Sequence, residues 1–136
     1  MSRSRIIGLL ALKRKVALQQ FRQEQGRLTE EIDRLDQRID QVATLEAGYH
    51  AHLTEKSITV SDLRGITALT ARLGERRDID QRRRELLNVE RARLAPILVG
   101  KRREIEKLEE EAKLAARAEA DEKAERRLAL MPARRN

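Results

Sequence analysis

Apolar residues recur at alternating steps of four and three along two long stretches of this chain, and one short helix-breaking segment separates the stretches. The first runs Leu28, Ile32, Leu35, Ile39, Val42, Tyr49 and Leu53, with Glu46 taking one place in the series. The second begins at Leu63 and Ile66, thins through a basic middle, and recovers at Leu94, Leu98, Ile105, Leu108, Ala112 and Ala115. Such spacing turns one narrow stripe of a helix toward a partner helix rather than toward the centre of a globule. Aromatic content of 1%, namely Phe21 and Tyr49, removes the large side chains that fill most cores. The apolar fraction of 40%, so regularly spaced, is too high for a disordered segment.

The spacing predicts an all-α fold: an antiparallel two-helix coiled-coil hairpin, residues 1–136, as a single domain with a longer second helix. Helix one is expected over about 4–53, with Ser2 or Ser4 as its N-cap. The turn covers 54–61, where β-branched residues cluster and helix propensity falls. Thr59 and Asp62 have the spacing of a capping box at the start of helix two, and Ser61 is an alternative cap. A connection this short joins antiparallel neighbours most easily. Helix two is expected over about 62–128 and a frayed tail over 129–136. Pro96 has no amide hydrogen and clashes with the preceding turn, which predicts a kink or a break there. Residues 76–84, largely arginine and aspartate, offer little to a dry seam, although arginine stems can cover apolar surface.

The ionisable residues do not make a catalytic constellation. Glu30-Glu31 and Glu109-Glu110-Glu111 lie on exposed helix faces with nothing to desolvate them, as catalytic carboxylates normally need. His50 and His52 point to different sides of a helix; Glu46 and His50 could share an ion but lack a third ligand. No cysteine is present, so thiolate and disulfide chemistry is excluded. Glycine-rich phosphate loops and a serine–histidine–carboxylate set are absent from the sequence. The expectation is a non-enzymatic protein with no cofactor, no metal and no small-molecule substrate.

A net charge of +7 points to an acidic partner, nucleic acid or an anionic surface, or simply to the solubility of an exposed helix pair. The clusters Lys13-Arg14-Lys15, Arg82-Arg83-Arg84 and Lys101-Arg102-Arg103 could each neutralise phosphates. With one Phe and one Tyr, base stacking is nearly unavailable to a single-strand binder. No dense basic block runs into a clean leucine zipper. An acidic protein partner, steered in by these cations, fits better. Tyr49 either packs in the seam or faces outward as a binding anchor. The apolar run Ile6–Leu12 is far shorter than the roughly 20 residues of a membrane span. Flanked by basic residues, and with no acid before Glu24, it reads as the first turns of helix one rather than as a leader.

The opening segment, with Leu9, Leu10, Leu12, Lys13 and Arg14, followed by Ala17-Leu18, Phe21, Leu28 and Leu35, resembles the FliJ/YscO group, as do the short turn and the longer, Glu/Arg-rich second helix. The resemblance covers nearly the whole chain, with Pro96 as a departure from it. It implies a cytoplasmic coiled-coil component of bacterial flagellar or type III protein export, peripherally associated with the inner-membrane apparatus. Its implied partners are the hexameric export ATPase, the cytoplasmic domain of the export gate, and in some members export chaperones. On this reading the end bearing Arg3, Arg5, Lys13, Arg14 and Lys15 suits a ring lined by carboxylates. The turn-proximal half, with Val42, Leu45, Tyr49, Leu69 and Leu73, suits the gate if some of these side chains escape the seam. Alternatives are a basic hairpin that binds nucleic acid or ribosome, and a structural coiled-coil oligomer.

Overall fold

The computed structural model describes residues 2–55 and 57–132. Two helices make up the fold, α1 over Arg3–Leu53 and α2 over Val60–Leu130. Of the two serines able to cap α1, Ser2 does so: its Oγ accepts from the Arg5 amide at 3.3 Å, and its carbonyl accepts the first helical bond from Ile6. At the other end the helix tightens before it stops. The Thr54 amide and hydroxyl both donate to the Ala51 carbonyl, and the Glu55 amide donates to that of His52. Thr59 then caps α2, its Oγ1 accepting from the Asp62 amide at 3.1 Å, the third-residue bond of an N-cap. Of the tail expected over 129–136, Ala129 and Leu130 still belong to α2, and 133–136 lie outside the described residues.

The chain divides into two compact units, one of Gln23–Ala95 and one of the residues up to Arg22 together with those from Pro96 onward. The Gln23–Ala95 unit is a helical hairpin around the turn. From α1 it closes in Leu28, Ile32, Leu35, Ile39 and Val42, and from α2 Ile66, Leu87 and Leu94. Leu28 is 1% exposed; burying a leucine to that degree contributes about 1.5–3 kcal/mol. The α2 seam starts at Ile66. Leu63, expected to open it, is 46% exposed and lies outside.

Between Ile66 and Leu87 the α2 seam does not fade. It continues through half-buried or buried Thr70, Leu73, Arg77, Asp80 and Arg84 at unbroken heptad spacing. Asp80 is 1% exposed. Arg38 grips it with two nitrogens from α1, and Arg76 approaches at 3.6 Å from one turn away on α2. Arg77 meets Glu46, so the one acidic place in the α1 seam faces a basic place in the α2 seam. Arg84 donates to Asp36 at 3.1 Å. The arginine-rich segment therefore fills its part of the seam with ion pairs instead of leaving it wet.

The other unit pairs α1 up to Arg22 with the second half of α2, again antiparallel: Phe21 lies by Lys101, Lys15 by Glu109 and Ser4 by Glu119. Its apolar seam is thinner. Ala11, Leu18 and Ile105 are buried, while Ile7, Phe21, Leu98, Leu108, Ala112 and Ala115 are half-buried. The Lys101 ammonium sits 4.8 Å from the Phe21 ring centroid, a cation–π contact that replaces an apolar pair. Helix α2 runs through Pro96 without a break. Pro96 and Ala92, the residue whose carbonyl loses its helical donor, are both exposed, so water can supply the missing bond.

Two stability outcomes follow from the hairpin seam. Leu28→Ala should cost about 2–4 kcal/mol in urea unfolding, whereas Leu45→Ala, at a half-exposed position, should cost well under half of that. Asp80→Ala should destabilise by about 1–3 kcal/mol, less than a fully enclosed pair because Arg38 reaches water. Asp80→Leu combined with Arg38→Leu, which replaces the pair by apolar groups, should recover most of that loss. A double variant no more stable than Asp80→Ala would mean that the unpaired Arg38 charge is not the source of the loss.

Candidate interaction surfaces

Helix α1 is apolar on both sides where it belongs to the thinner unit. One side meets α2 through Ala11 and Leu18. The other leaves Ile6, Leu9, Leu12 and Val16 between 49% and 60% exposed, and Leu10 at 41%. Leu9, Leu12 and Val16 are spaced by three and four, so they share one helix face, opposite Ala11 and Leu18. A helix that is hydrophobic all round normally has more than one neighbour. No acid occurs on α1 before Glu24, so the outward face carries no negative charge there.

The cations expected to bind a partner divide into two kinds. Arg14 and Lys15 reach across to Glu104 at 3.6 Å and Glu109 at 2.8 Å. Arg3, Arg5 and Lys13 are exposed and form no ion pair among the described residues. The other basic clusters are also engaged internally. Arg83 binds Glu31, Arg84 binds Asp36, and Lys101 lies over Phe21. Much of the charge that suggested nucleic acid is thus used to join the two helices.

At the turn-proximal end, the five residues expected to meet a gate are placed differently. Val42 is buried and closed to any partner; its heptad place gives it to the seam. Tyr49 and Leu73 hold seam places and are half-buried. Leu45 and Leu69 escape, at 50% and 43% exposure.

Several carboxylates bind protons more weakly than usual, each for a local reason. The Arg83 guanidinium hydrogen-bonded to Glu31 holds that carboxyl below the ordinary range, and Arg27 does the same for Glu24. Glu119 is the most informative. Its Oε2 accepts from the Ser4 hydroxyl at 2.7 Å and its Oε1 from the Ser4 amide at 3.0 Å. The Ser4 hydroxyl and amide together lower its affinity for a proton. A carboxylate from α2 thus supplements the cap of α1, at the end where the helix dipole favours negative charge.

Sequence reasoning did not find Asp80, the Glu46–Arg77 pair or the Ser4–Glu119 contact. A signal for the first two exists: counting by four and three from Ile66 lands on Arg77, Asp80 and Arg84. Among the described residues no group of three His, Cys, Asp or Glu is placed to hold a metal ion, and no helix is long and apolar enough to cross a membrane. No protein-family model matches the chain, and no curated protein or solved structure matches it.

Glu119 makes the end of the helix pair sensitive to acid. Its folded affinity for protons is depressed, so its contribution is present above the ordinary carboxylate pKa and is lost as pH falls through the lower folded value. Relative to the intrinsic rate, which itself falls with pH, the protection of the Ser4 and Arg5 amides against exchange should therefore drop on acidification, more than protection in the middle of α1. Glu119→Gln should remove that pH dependence; a variant that kept it would assign the effect to another group.

Proposed function

We propose that this chain is a non-enzymatic coiled-coil component of a bacterial flagellar or type III protein export apparatus, a stalk between the export ATPase and the export gate. The observation that carries the reading is the acid-free first segment of α1, with its outward stripe of Leu9, Leu12 and Val16 beside the free cations Arg5 and Lys13. A face of that kind suits an acidic, partly apolar protein surface, such as the inner wall of a hexameric ATPase ring. Leu45 and Leu69 at the turn-proximal end are the residues left to meet the gate's cytoplasmic domain. Export chaperones are a further class of partner for the same helices. The work is docking, with no bond made or broken, and the location is cytoplasmic, peripheral to the inner-membrane apparatus.

Nucleic acid is the rival reading. It is weakened because each basic cluster already holds partners within the chain. Filter binding across a salt series separates the two: steep loss of retention with salt supports nucleic acid.

The direct test is co-purification with the export ATPase and with the gate's cytoplasmic domain. The wild-type chain should be retained by the ATPase, and Leu9→Asp with Val16→Asp should lose it at unchanged helix content. Retention by neither protein, with the helices intact, would end the stalk reading.

A further inference from the structure

One side of the Gln23–Ala95 hairpin carries a second unpartnered surface, a groove between the helices where Arg34 and Arg38 of α1 face Arg76 and Arg83 of α2 beside exposed Ile79. Glu31–Arg83 and the Arg38–Asp80–Arg76 cluster define the contact layers on this side. The layers advance by one heptad per step on each helix, in opposite directions. One step beyond Arg38 and Arg76 brings Leu45 and Leu69 together, both exposed. Arg72 lies one turn from Arg76 and adds another cation to the same side.

The charge on this side is not balanced. Glu31 and Asp80 are occupied by Arg83, Arg38 and Arg76. Arg34 and Arg72 are exposed and have no ion pair among the described residues. The acids Asp33, Asp36 and Asp40 are spaced to fall on the opposite flank of the α1 seam. Free guanidinium groups on the same side as an exposed leucine layer match a helix with leucines along one stripe and carboxylates beside them.

We propose that this groove docks one acidic amphipathic helix from a different protein, making a three-helix assembly over the turn-proximal half of the hairpin. Leu45 and Leu69 form the apolar contact, and Arg34 and Arg72 bind the flanking carboxylates. A second copy of the chain fits less well. It would have to present its own acidic flank, which makes a head-to-tail contact that does not close. Duplex nucleic acid would satisfy the arginines but leave the leucines wet. The proposal stands whether or not the chain serves an export apparatus.

The test uses the full chain and two fluorescent peptides of about three heptads. Both have leucine along the seam; one has glutamate and the other lysine at the flanking positions. The glutamate peptide should bind by anisotropy, and the lysine peptide should not. Arg34→Gln with Arg72→Gln should weaken binding roughly fivefold. Leu45→Ala with Leu69→Ala should weaken it tenfold or more, on the order of two leucine contacts. All variants should keep wild-type helix content. Leu9→Asp with Val16→Asp, which tests the stalk reading, should leave peptide binding unchanged. Equal binding of the two peptides overturns the proposal, as does loss of binding in the Leu9/Val16 variant instead of the Leu45/Leu69 variant. Displacement of the peptide by short duplex DNA, or concentration-dependent growth abolished by the arginine substitutions, would give the groove to nucleic acid or to a second copy.

Discussion

The Asp80 carboxylate, shut away from water and held by Arg38 and Arg76, decides which residue of α1 faces which residue of α2 in the hairpin. An apolar heptad seam alone is nearly indifferent to sliding by a whole heptad, because leucine or isoleucine meets leucine or isoleucine either way. A slide here would bury Asp80 away from Arg38 and strand Glu46 away from Arg77. Unpaired buried charge is among the costliest errors a fold can make. The pairs add little net stability over a well-packed apolar layer, so their effect is to choose one register and penalise the others. In this chain the polar groups set the alignment and the aliphatic groups supply most of the adhesion.

Both helices, the turn, the Thr59 cap and the antiparallel pairing were legible because each rests on a local signal. Heptad spacing, β-branched residues at 58–60 and a hydroxyl three residues before Asp62 can all be read within one or two turns. What escaped was non-local. Whether Arg77 or Asp80 is solvated or sits in a seam depends on what α1 offers opposite, and a single helix does not disclose that. At Pro96 the break that the sequence allowed does not occur. The Ala92 carbonyl that loses its donor is open to water, and its exposure becomes known only after packing. The outward stripe on α1 was hidden because Leu9, Leu12 and Val16 look like core residues until Ala11 and Leu18 occupy the inner side.

The two units divide the physical tasks. The hairpin around the turn holds most of the buried aliphatic residues, and with them most of the hydrophobic driving force. The other unit is held by fewer apolar contacts, with ion pairs, a cation–π contact and a shared cap in their place. Exposed apolar groups concentrate on α1 in the same unit. The outward stripe of α1 thus lies on the more lightly packed of the two units.

The bond between Ser4 and Glu119 spans 115 positions of sequence. A ribosome delivers amino-terminal residues first, so the opening turn of α1 must wait, with half of its capping incomplete, until almost all of α2 has been polymerised. Its apolar and basic side chains emerge before those of α2 and are among the last to be fastened. During that interval they are available to whatever binds nascent chains.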